Sequence, residues 1–295
     1  MTDLDQSAAL ILAGLFDFDR RGANRFRAAP TFSPMKRLYG GQVVAQAFDA
    51  ARRTVDEDRP GHSFHAYFVR PGDPRRLIDF SVARYGDSRS FSNRRVTARQ
   101  DGSLILSLSA SFQLDALGSR YQAIMPDVAP PEGLESQREW SGRNASRLPE
   151  WTHAFWLNEQ VVDYRFCEPF TAFCHPPISP VRHIWMKVRM ALPNELFVHQ
   201  RMLAYASDLH IMHSGLLPLG IGWADDNLRT ASLDHALWFH DDFRADEWLL
   251  YALDSGFAGQ ARALGQGRVF ARDGRLVATV MQEGLARVTD VMRRR

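Results

Sequence analysis

The sequence predicts an α+β fold made of two similar repeats, each with a long helix packed against an antiparallel sheet. Several stretches alternate apolar and polar residues with a period of two, which is typical of strands that bury one face. An alanine-rich stretch before them has the composition of a closely packed helix. The same order of helix, strands and Asp-Gly turn occurs twice along the chain, which indicates an internal duplication.

The first repeat is expected to begin with a short apolar helix over Ala8–Phe16 and a strand over Arg25–Phe32. A second helix is predicted to begin at Gly40-Gly41 and to run to Ala51, with alanines that allow close packing. After Pro60-Gly61 the pattern changes to period two. The strands predicted there are Ser63–Val69, Arg76–Tyr85, Ser90–Gln100 and Ser103–Gln113.

The second repeat is separated from the first by a connector. Four prolines within residues 114–158 indicate that this segment has little regular structure. Beyond it, a helix is predicted over Val198–Leu216. The strands predicted there are Gln160–Phe166, Arg182–Arg189, Ala231–Phe239, Glu247–Ser255, Ala261–Arg272 and Leu276–Arg287.

Two dipeptides align the repeats. His65-Ala66 corresponds to His235-Ala236 at an offset of 170 residues, and Asp101-Gly102 corresponds to Asp273-Gly274 at an offset of 172. Both Asp-Gly pairs predict hairpin turns, because these residues tolerate positive φ. The predicted domains are 1–115 for the N-terminal repeat, 116–158 for the connector and 159–295 for the C-terminal repeat. Two such sheets could pair edge to edge and so remove their exposed edges.

Composition excludes several classes of function. The chain has 36 basic and 34 acidic residues, and this balance argues against non-specific nucleic-acid binding. Its two cysteines, Cys167 and Cys174, cannot form a disulfide framework or a four-cysteine zinc site. The acidic start lacks the basic residues of a signal peptide, and Ala8–Phe16 is too short to span a membrane. A soluble cytoplasmic protein is therefore expected.

Common catalytic motifs are missing from the sequence, including the P-loop, H-E-x-x-H and G-x-S-x-G. Gly220-Ile221-Gly222 lacks the third glycine of a dinucleotide-binding loop. His210 and His213 have helical spacing, but a metal site would need more ligands in one place. No metal and no cofactor are therefore expected.

Seven short motifs, spread over nearly the whole chain, carry a resemblance to a known family. They are GGQVV at 40–44, HSFHAYFVRPGD at 62–73, SFSNRRV at 90–96, YASDL at 205–209, LDHALWFH at 233–240, EWLLY at 247–251 and QEG at 282–284. In these motifs the chain resembles the acyl-CoA thioesterase II family of double-hotdog enzymes. The resemblance implies a hotdog fold in each half, with a long helix wrapped by a curved antiparallel sheet. It also implies hydrolysis of fatty acyl-CoA to free fatty acid and CoA.

The same resemblance implies a catalytic set. It consists of Asp208 on the second-half helix, Ser232 on a following strand and Gln282 on the last strand. The family is expected to carry threonine where this chain has Ser232, and serine keeps the hydroxyl but loses the methyl group that restricts χ1. An aspartate can accept a proton from water, while a hydroxyl and an amide can orient that water. Covalent catalysis by Ser232 is an alternative, but His235, three residues on in a strand, is expected to point away from it.

The repeats are not expected to be chemically equal, because His62 and Ala110 occupy the first-half positions of the serine and the glutamine. The first half is therefore expected to supply binding surface. Its candidate substrate-binding residues are Gly40 and Gly41, whose N–H groups could approach a carbonyl or phosphate. Arg94 could meet CoA phosphates if it faces solvent, although a merely solvated position is also open.

Trp238 is a further candidate for substrate binding, since it suits either an acyl pocket or the core. Two other functions remain open at this stage. A hotdog enoyl-CoA hydratase would need an Asp/His pair, for which Asp208 and His213 are a poor match. A non-catalytic acyl-CoA-binding protein would bind the same molecule without turnover. The expected partner is acyl-CoA, and a homo-oligomer, dimer or tetramer, is expected.

Overall fold

The computed structural model describes residues 10–30, 37–152, 156 and 161–289. The helices are α1 (residues 10–15), α2 Gly40–Arg52, α3 Gln137–Arg143, α4 Glu150–Thr152, α5 Leu196–Ala206 and α6 His213–Leu216. The strands are β1 Phe18–Gly22, β2 Arg25–Ala28, β3 Gly61–Phe68, β4 Ile78–Asp87, β5 Phe91–Gln100, β6 Ser103–Gln113, β7 Val162–Phe166, β8 Arg182–Val188, β9 Leu228–Ser232, β10 Asp234–Phe239, β11 Leu249–Gly259, β12 Arg262–Ala271 and β13 Leu276–Val288. No helix in these ranges is both long enough and apolar enough to cross a membrane.

The strands of the described chain form one antiparallel sheet in the order β1-β2-β4-β5-β6-β3-β10-β13-β12-β11-β8-β7, and β9 pairs with β13. The two repeats meet where β3 pairs with β10, so their sheets join edge to edge as predicted. At this seam the two dipeptides that the internal alignment equates lie side by side in antiparallel register, so that His65 faces Ala236 and His235 faces Ala66. Outward from the seam, β6, β5 and β4 mirror β13, β12 and β11, as a duplication requires.

Helix α2 packs between the first-half sheet and α5. Its residues from Gly41 to Ala51 are all buried, because small side chains such as those of Ala45 and Ala50 let the first-half sheet and α5 both pack closely against α2. Buried Asp49 of α2 accepts a hydrogen bond from Arg201 of α5 at 2.8 Å, and this ion pair joins the two repeats. The N-terminal end of α2 therefore lies beside the C-terminal end of α5.

The four strands of the first-half meander and both Asp-Gly turns lie where the sequence predicts them. The described residues 10–15 of the predicted first helix are helical, whereas Ala8 and Ala9 lie outside the described residues. Strand β2 ends at Ala28, and the end of the predicted strand, Thr31 and Phe32, also lies outside them. Strand β1 was not predicted. Residues 114–130 of the connector are irregular, and a capping box at Ser136 begins the short helix α3.

Two predicted second-half elements are wrong in extent. The helix over Val198–Leu216 is interrupted, since α5 ends at Ala206 and His210 has a left-handed backbone with φ of 72°. The strand over Ala231–Phe239 is divided at Leu233 into β9 and β10. Ser232 pairs with Gly284 and Ala236 with Met281, so four positions on one strand span three on β13. This extra residue is a bulge, and it reverses which face the preceding residues present.

Candidate active site

A cavity of about 650 Å³ lies where the two repeats meet. Its walls come from the start of α2, the segment after β3, the turn after α5, and strands β9 and β13. Much of the lining is apolar, and includes Leu38, Val43, Phe68, Ile105, Leu209 and Met212. Asp208, Ser232 and Gln282 also line this cavity, so a polar cluster shares the space with an apolar surface.

The structure brings the three predicted catalytic side chains together. The Ser232 hydroxyl donates to Oδ1 of Asp208 at 3.2 Å, and Nε2 of Gln282 donates to the Ser232 Oγ at 3.0 Å. Gln282 is buried, whereas Asp208 and Ser232 are partly exposed. Residues that are 24 to 74 positions apart in sequence thus form one hydrogen-bonded cluster. Their catalytic roles stay a prediction.

Asp208 lies in the turn after α5, and the prediction that places it on a helix is wrong. Its Oδ2 accepts a hydrogen bond of 2.8 Å from the backbone N–H of Gly41, in the first turn of α2. First-turn N–H groups have no partner within their helix, and the helix dipole there favours a negative charge. A Cβ on Gly41 would collide with the carbonyl oxygen of Tyr205, so only glycine permits this approach.

Three buried tyrosines hold the backbone that leads to Asp208. The hydroxyls of Tyr39, Tyr164 and Tyr251 donate, in that order, to the carbonyls of residues 205–207 at 2.8, 3.0 and 3.0 Å. These carbonyls belong to the last two residues of α5 and to its C-cap, where helical partners run out. Burial raises the pKa of all three phenols well above the ordinary value, so each hydroxyl keeps the proton that it donates. We call these residues the tyrosine clamp.

His235 joins the cluster, contrary to the expectation that it points away. Its Nδ1 lies within hydrogen-bond distance of Oε1 of Gln282, and its Nε2 lies 3.0 Å from the Ser207 Oγ. The bulge between β9 and β10 is the reason, because one extra residue brings Ser232 and His235 to the same face of the sheet. Pairing with β13 fixes that bulge, and no local sequence signal reveals it.

The predicted substrate-binding residues divide between the cavity and other places. Gly40 lines the cavity, whereas the backbone N–H of Gly41 donates to Asp208 and does not face the cavity. The phosphate-binding role predicted for Arg94 required that its side chain face solvent, and the structure contradicts this requirement. This side chain is 2% exposed and donates to Thr54 and Asp87, because alternation along β5 turns it inward.

Trp238 is also absent from the cavity lining in the described structure. It lies on the outer face of the sheet, with its ring 4.9 Å from that of His65. It alternates with His235, Leu237 and Phe239 along β10, and those residues point inward. The prediction that Trp238 lines an acyl pocket is therefore wrong, because alternation along β10 turns this side chain away from the cavity. His62 and Ala110, the first-half counterparts of the serine and glutamine, likewise lie away from Asp208.

Three arginines of the cavity lining were not singled out from the sequence: Arg37, Arg70 and Arg229. The guanidinium of Arg37 donates to the Thr230 carbonyl at 2.6 Å. Burial lowers the pKa of Arg37, and the charge of Asp208 opposes that effect. These arginines lie in loops or on exposed strand positions, where arginine is common and gives no specific signal. Together they add positive charge to the walls of the cavity.

Comparisons with known proteins agree across the chain. Residues 158–285 match the model of the acyl-CoA thioesterase family, and residues 28–113 match that of the acyl-CoA thioesterase N-terminal domain. Acyl-CoA thioesterase 2 of Haemophilus influenzae is 35% identical over 270 residues, which covers 90% of this chain and 93% of the relative. The solved structure of the acyl-CoA thioesterase II TesB2 from Mycobacterium marinum is 36% identical, with a TM-score of 0.76 over 94% of this chain and 98% of that one.

A hot dog fold protein from Alicyclobacillus acidocaldarius has a TM-score of 0.75 at 18% identity, over 94% of this chain and 98% of that one. At this identity the likeness concerns the fold alone. The predicted α+β architecture of two hotdog repeats is confirmed by these solved structures together with the order of the strands.

Proposed function

The chain belongs to the acyl-CoA thioesterase family and hydrolyses acyl-CoA, and we propose that its nucleophile is a water held by Asp208, Ser232 and Gln282. The observation that carries this proposal is the hydrogen-bonded cluster of these three side chains on the wall of a largely apolar cavity. A carboxylate has about four acceptor sites, so Asp208 has room for a water beside its bonds to Ser232 and Gly41.

In the proposed reaction, water attacks the thioester carbonyl carbon while Asp208 accepts one of its protons. The tetrahedral intermediate then collapses, the carbon–sulfur bond breaks, and the CoA thiolate leaves. Transfer of the proton from Asp208 to the thiolate gives free CoA and carboxylic acid, and restores the carboxylate. Ser232 and Gln282 hold the water and the base at fixed positions, which makes the attack effectively unimolecular.

We favour this route over an acyl-enzyme on Ser232. The Ser232 oxygen accepts a hydrogen bond from Gln282, and this bond withdraws electron density that a nucleophile would need. No imidazole contacts Ser232 in the described structure, since Gln282 separates it from His235. The pattern therefore lacks the oriented histidine that usually activates a serine.

We propose that the apolar lining receives a fatty acyl chain and that Arg37, Arg70 and Arg229 meet the phosphates of CoA. The first half, residues 1–115, would contribute binding surface and the Gly41 donor, while the second half, 159–295, carries the three catalytic side chains. One chain would then have one active site. Titration with a tight-binding inhibitor should give about one site per chain, because each chain has one set of the three side chains that hold the water.

A thiol-release assay over a series of acyl-CoA chain lengths tests the proposed function. Hydrolysis releases free CoA and is expected to depend on Asp208. An enoyl-CoA hydratase would instead consume enoyl absorbance without thiol release, and a binding protein would show neither signal while still retaining acyl-CoA. Loss of enoyl absorbance alone, or binding that Asp208→Asn leaves unchanged without turnover, would overturn the proposal.

We further propose that the protein is cytoplasmic, acts in fatty acid and lipid metabolism, and is a homo-oligomer. Both cysteines, Cys167 and Cys174, are free thiols, as in a reducing compartment. Leu117, Tyr121 and Ile124 of the connector are more than nine-tenths exposed, and a second copy would cover such side chains. Light scattering should give the mass of a dimer or tetramer, whereas the monomer mass would contradict this part of the proposal.

A further inference from the structure

A line of hydrogen bonds extends from the partly exposed candidate water site into the buried interior of the protein. It runs from Asp208 through Ser232, Gln282 and His235 to Ser207, by the hydrogen bonds described above. We propose that His235 is a positioning residue that fixes the orientation of the Gln282 amide, and through it the Ser232 hydroxyl, for hydrolysis. This inference rests on the proposed water site of Asp208, Ser232 and Gln282.

The chemistry of the groups determines the direction of every bond in the line. An ionised carboxylate only accepts, so Ser232 must give its single hydrogen to Asp208. The Ser232 oxygen must then accept from its other neighbour, and only the –NH₂ end of Gln282 can donate. This leaves the carbonyl end of Gln282 facing His235.

The orientation of Gln282 in turn specifies the proton on His235. Its carbonyl oxygen needs a donor, so Nδ1 of His235 must carry a hydrogen. Burial lowers the pKa of His235, which keeps the ring neutral and leaves Nε2 as an acceptor. The hydroxyl of Ser207 can donate to that nitrogen at 3.0 Å, which is nearer than its other acceptor, the Ala204 carbonyl at 3.4 Å. One tautomer of His235 is therefore consistent with the whole line.

His235 has no access to substrate. Its side chain is 0% exposed, it is absent from the lining of the cavity, and its ring stacks on Phe64 at 5.9 Å between centroids. Any effect on hydrolysis must therefore pass through the side chains that His235 contacts, which are Gln282 and Ser207. A role as the activating base of Ser232 is inconsistent with the same arrangement, because the amide lies between them.

The two ends of a glutamine amide have nearly the same shape, so only their partners distinguish them. Without the Nδ1 hydrogen of His235, the amide of Gln282 could rotate and place its carbonyl against Ser232. Two acceptors, Asp208 and Gln282, would then compete for one serine hydrogen. The bond from His235 prevents this reversal, since the reversed amide would set a donor against a donor.

Kinetics of substituted His235 test the proposal. Asparagine places an amide N–H near the former Nδ1, so His235→Asn should keep kcat within about fivefold of wild type. His235→Leu removes the donor and should lower kcat about 10-fold to 100-fold with little change in KM, the loss expected for one oriented hydrogen bond. His65→Leu, on the outer face of the neighbouring strand, is the matched control and should keep the wild-type rate.

A double variant separates positioning from a general structural role. If His235 acts through Gln282, His235→Leu should cost little further activity in a Gln282→Ala background. Independent, multiplying losses would overturn the inference. Should His235→Leu fail to fold, Ser207→Ala removes the hydroxyl that holds Nε2, together with its longer contact to the Ala204 carbonyl, and it should lower kcat several-fold.

A ¹⁵N spectrum of histidine-labelled protein gives a direct reading that needs no activity. His235, assigned by comparison with His235→Asn, should be neutral with its hydrogen on Nδ1. A hydrogen on Nε2 would refute the inference. If Asp208→Asn and Gln282→Ala both keep full activity, the proposed water site fails. If they lose activity while His235→Leu does not, only the role of His235 fails.

Discussion

The backbone N–H of Gly41 donates to the carboxylate of Asp208 over 2.8 Å, although the two residues belong to different repeats and lie 167 positions apart. The first repeat thus contributes a donor to the candidate base of the second. This bond makes the first half, which carries none of the three proposed catalytic side chains, part of the candidate site.

Asp208→Asn should lower kcat about 10²-fold to 10⁴-fold, since an amide keeps the shape of the side chain but cannot accept the proton of water. Thiol release measures the rate, and thermal unfolding checks that the variant folds. Asp115→Asn, at the exposed end of the first repeat, is the control and should remain fully active. A folded Asp208→Asn enzyme with a normal rate would show that another group is the base.

Ser232→Thr should remain within about fivefold of wild type, because it keeps the hydroxyl that donates to Asp208. Ser232→Ala should lose about 10-fold to 100-fold, as expected when one orienting hydrogen bond disappears. Intact-mass measurement during turnover should find no acyl group on the protein. An adduct on Ser232 would instead establish covalent catalysis.

Gly41→Ala should reduce kcat at least about tenfold, because the added methyl group must displace the Tyr205 carbonyl or the Tyr39 ring and so disturb the bond to Asp208. Gly133→Ala provides the comparison, since a Cβ there meets no atom within 4 Å. Thermal unfolding and thiol release should both be measured. Equal activity of the two variants would mean that the close approach at Gly41 is not needed.

Tyr251→Phe removes one member of the tyrosine clamp and leaves the buried carbonyl of Ser207 without that donor. The free energy of unfolding should fall by about 1–3 kcal/mol, and kcat should fall with it as the turn at Asp208 loosens. Tyr67→Phe, at a side chain that is 65% exposed, should change neither quantity. Denaturant titration and thiol release together provide the check. Wild-type stability of Tyr251→Phe would argue that the clamp is dispensable.

Buried histidines should make the protein sensitive to acid. Burial lowers the pKa of His210 and of His213 from 6.5 to about 3. The folded state thus keeps both rings neutral while the unfolded state binds protons below pH 6.5. Stability is then full above about pH 6.5 and is lost as pH falls towards 3, by at most about 1.4 kcal/mol per pH unit for each ring.

The variant His213→Leu tests this linkage. In the wild-type protein the ring of His213 packs against the rings of Phe170 and Trp223, so leucine at this position would meet apolar neighbours. Between pH 6 and 4 its unfolding free energy should decline with a slope smaller by about one proton than that of wild type. Parallel slopes for the two proteins would contradict a neutral, buried His213.

Local pattern was sufficient for most of the fold. The meander from β3 to β6 follows the alternation of apolar residues, and each Asp-Gly turn marks its own hairpin. The end of α5 was not predictable, because Leu209, Ile211 and Met212 continue the apolar pattern of the helix. The tyrosines whose hydroxyls donate hydrogen bonds to the last carbonyls of α5 come from distant parts of the chain.

The site was predicted by resemblance and not by spacing. Asp208, Ser232 and Gln282 meet as the family resemblance implies, but nothing in their local sequence indicates that they do. The contact of His235 with Gln282 was not predicted, because the face of the sheet to which a side chain points depends on the register of its strand with the neighbouring strand. Here a bulge opposite β13 sets that register.

The position of β13 in the sheet has a consequence for how the protein is made. This strand follows every other described strand along the chain, yet it lies in the interior of the sheet, between β10 and β12. During synthesis, β10 and β12 therefore emerge from the ribosome with unpaired edges that wait for a partner. Gln282 arrives on that same strand. Pairing of β13 therefore closes both of these edges and, by bringing in Gln282, completes the proposed water site.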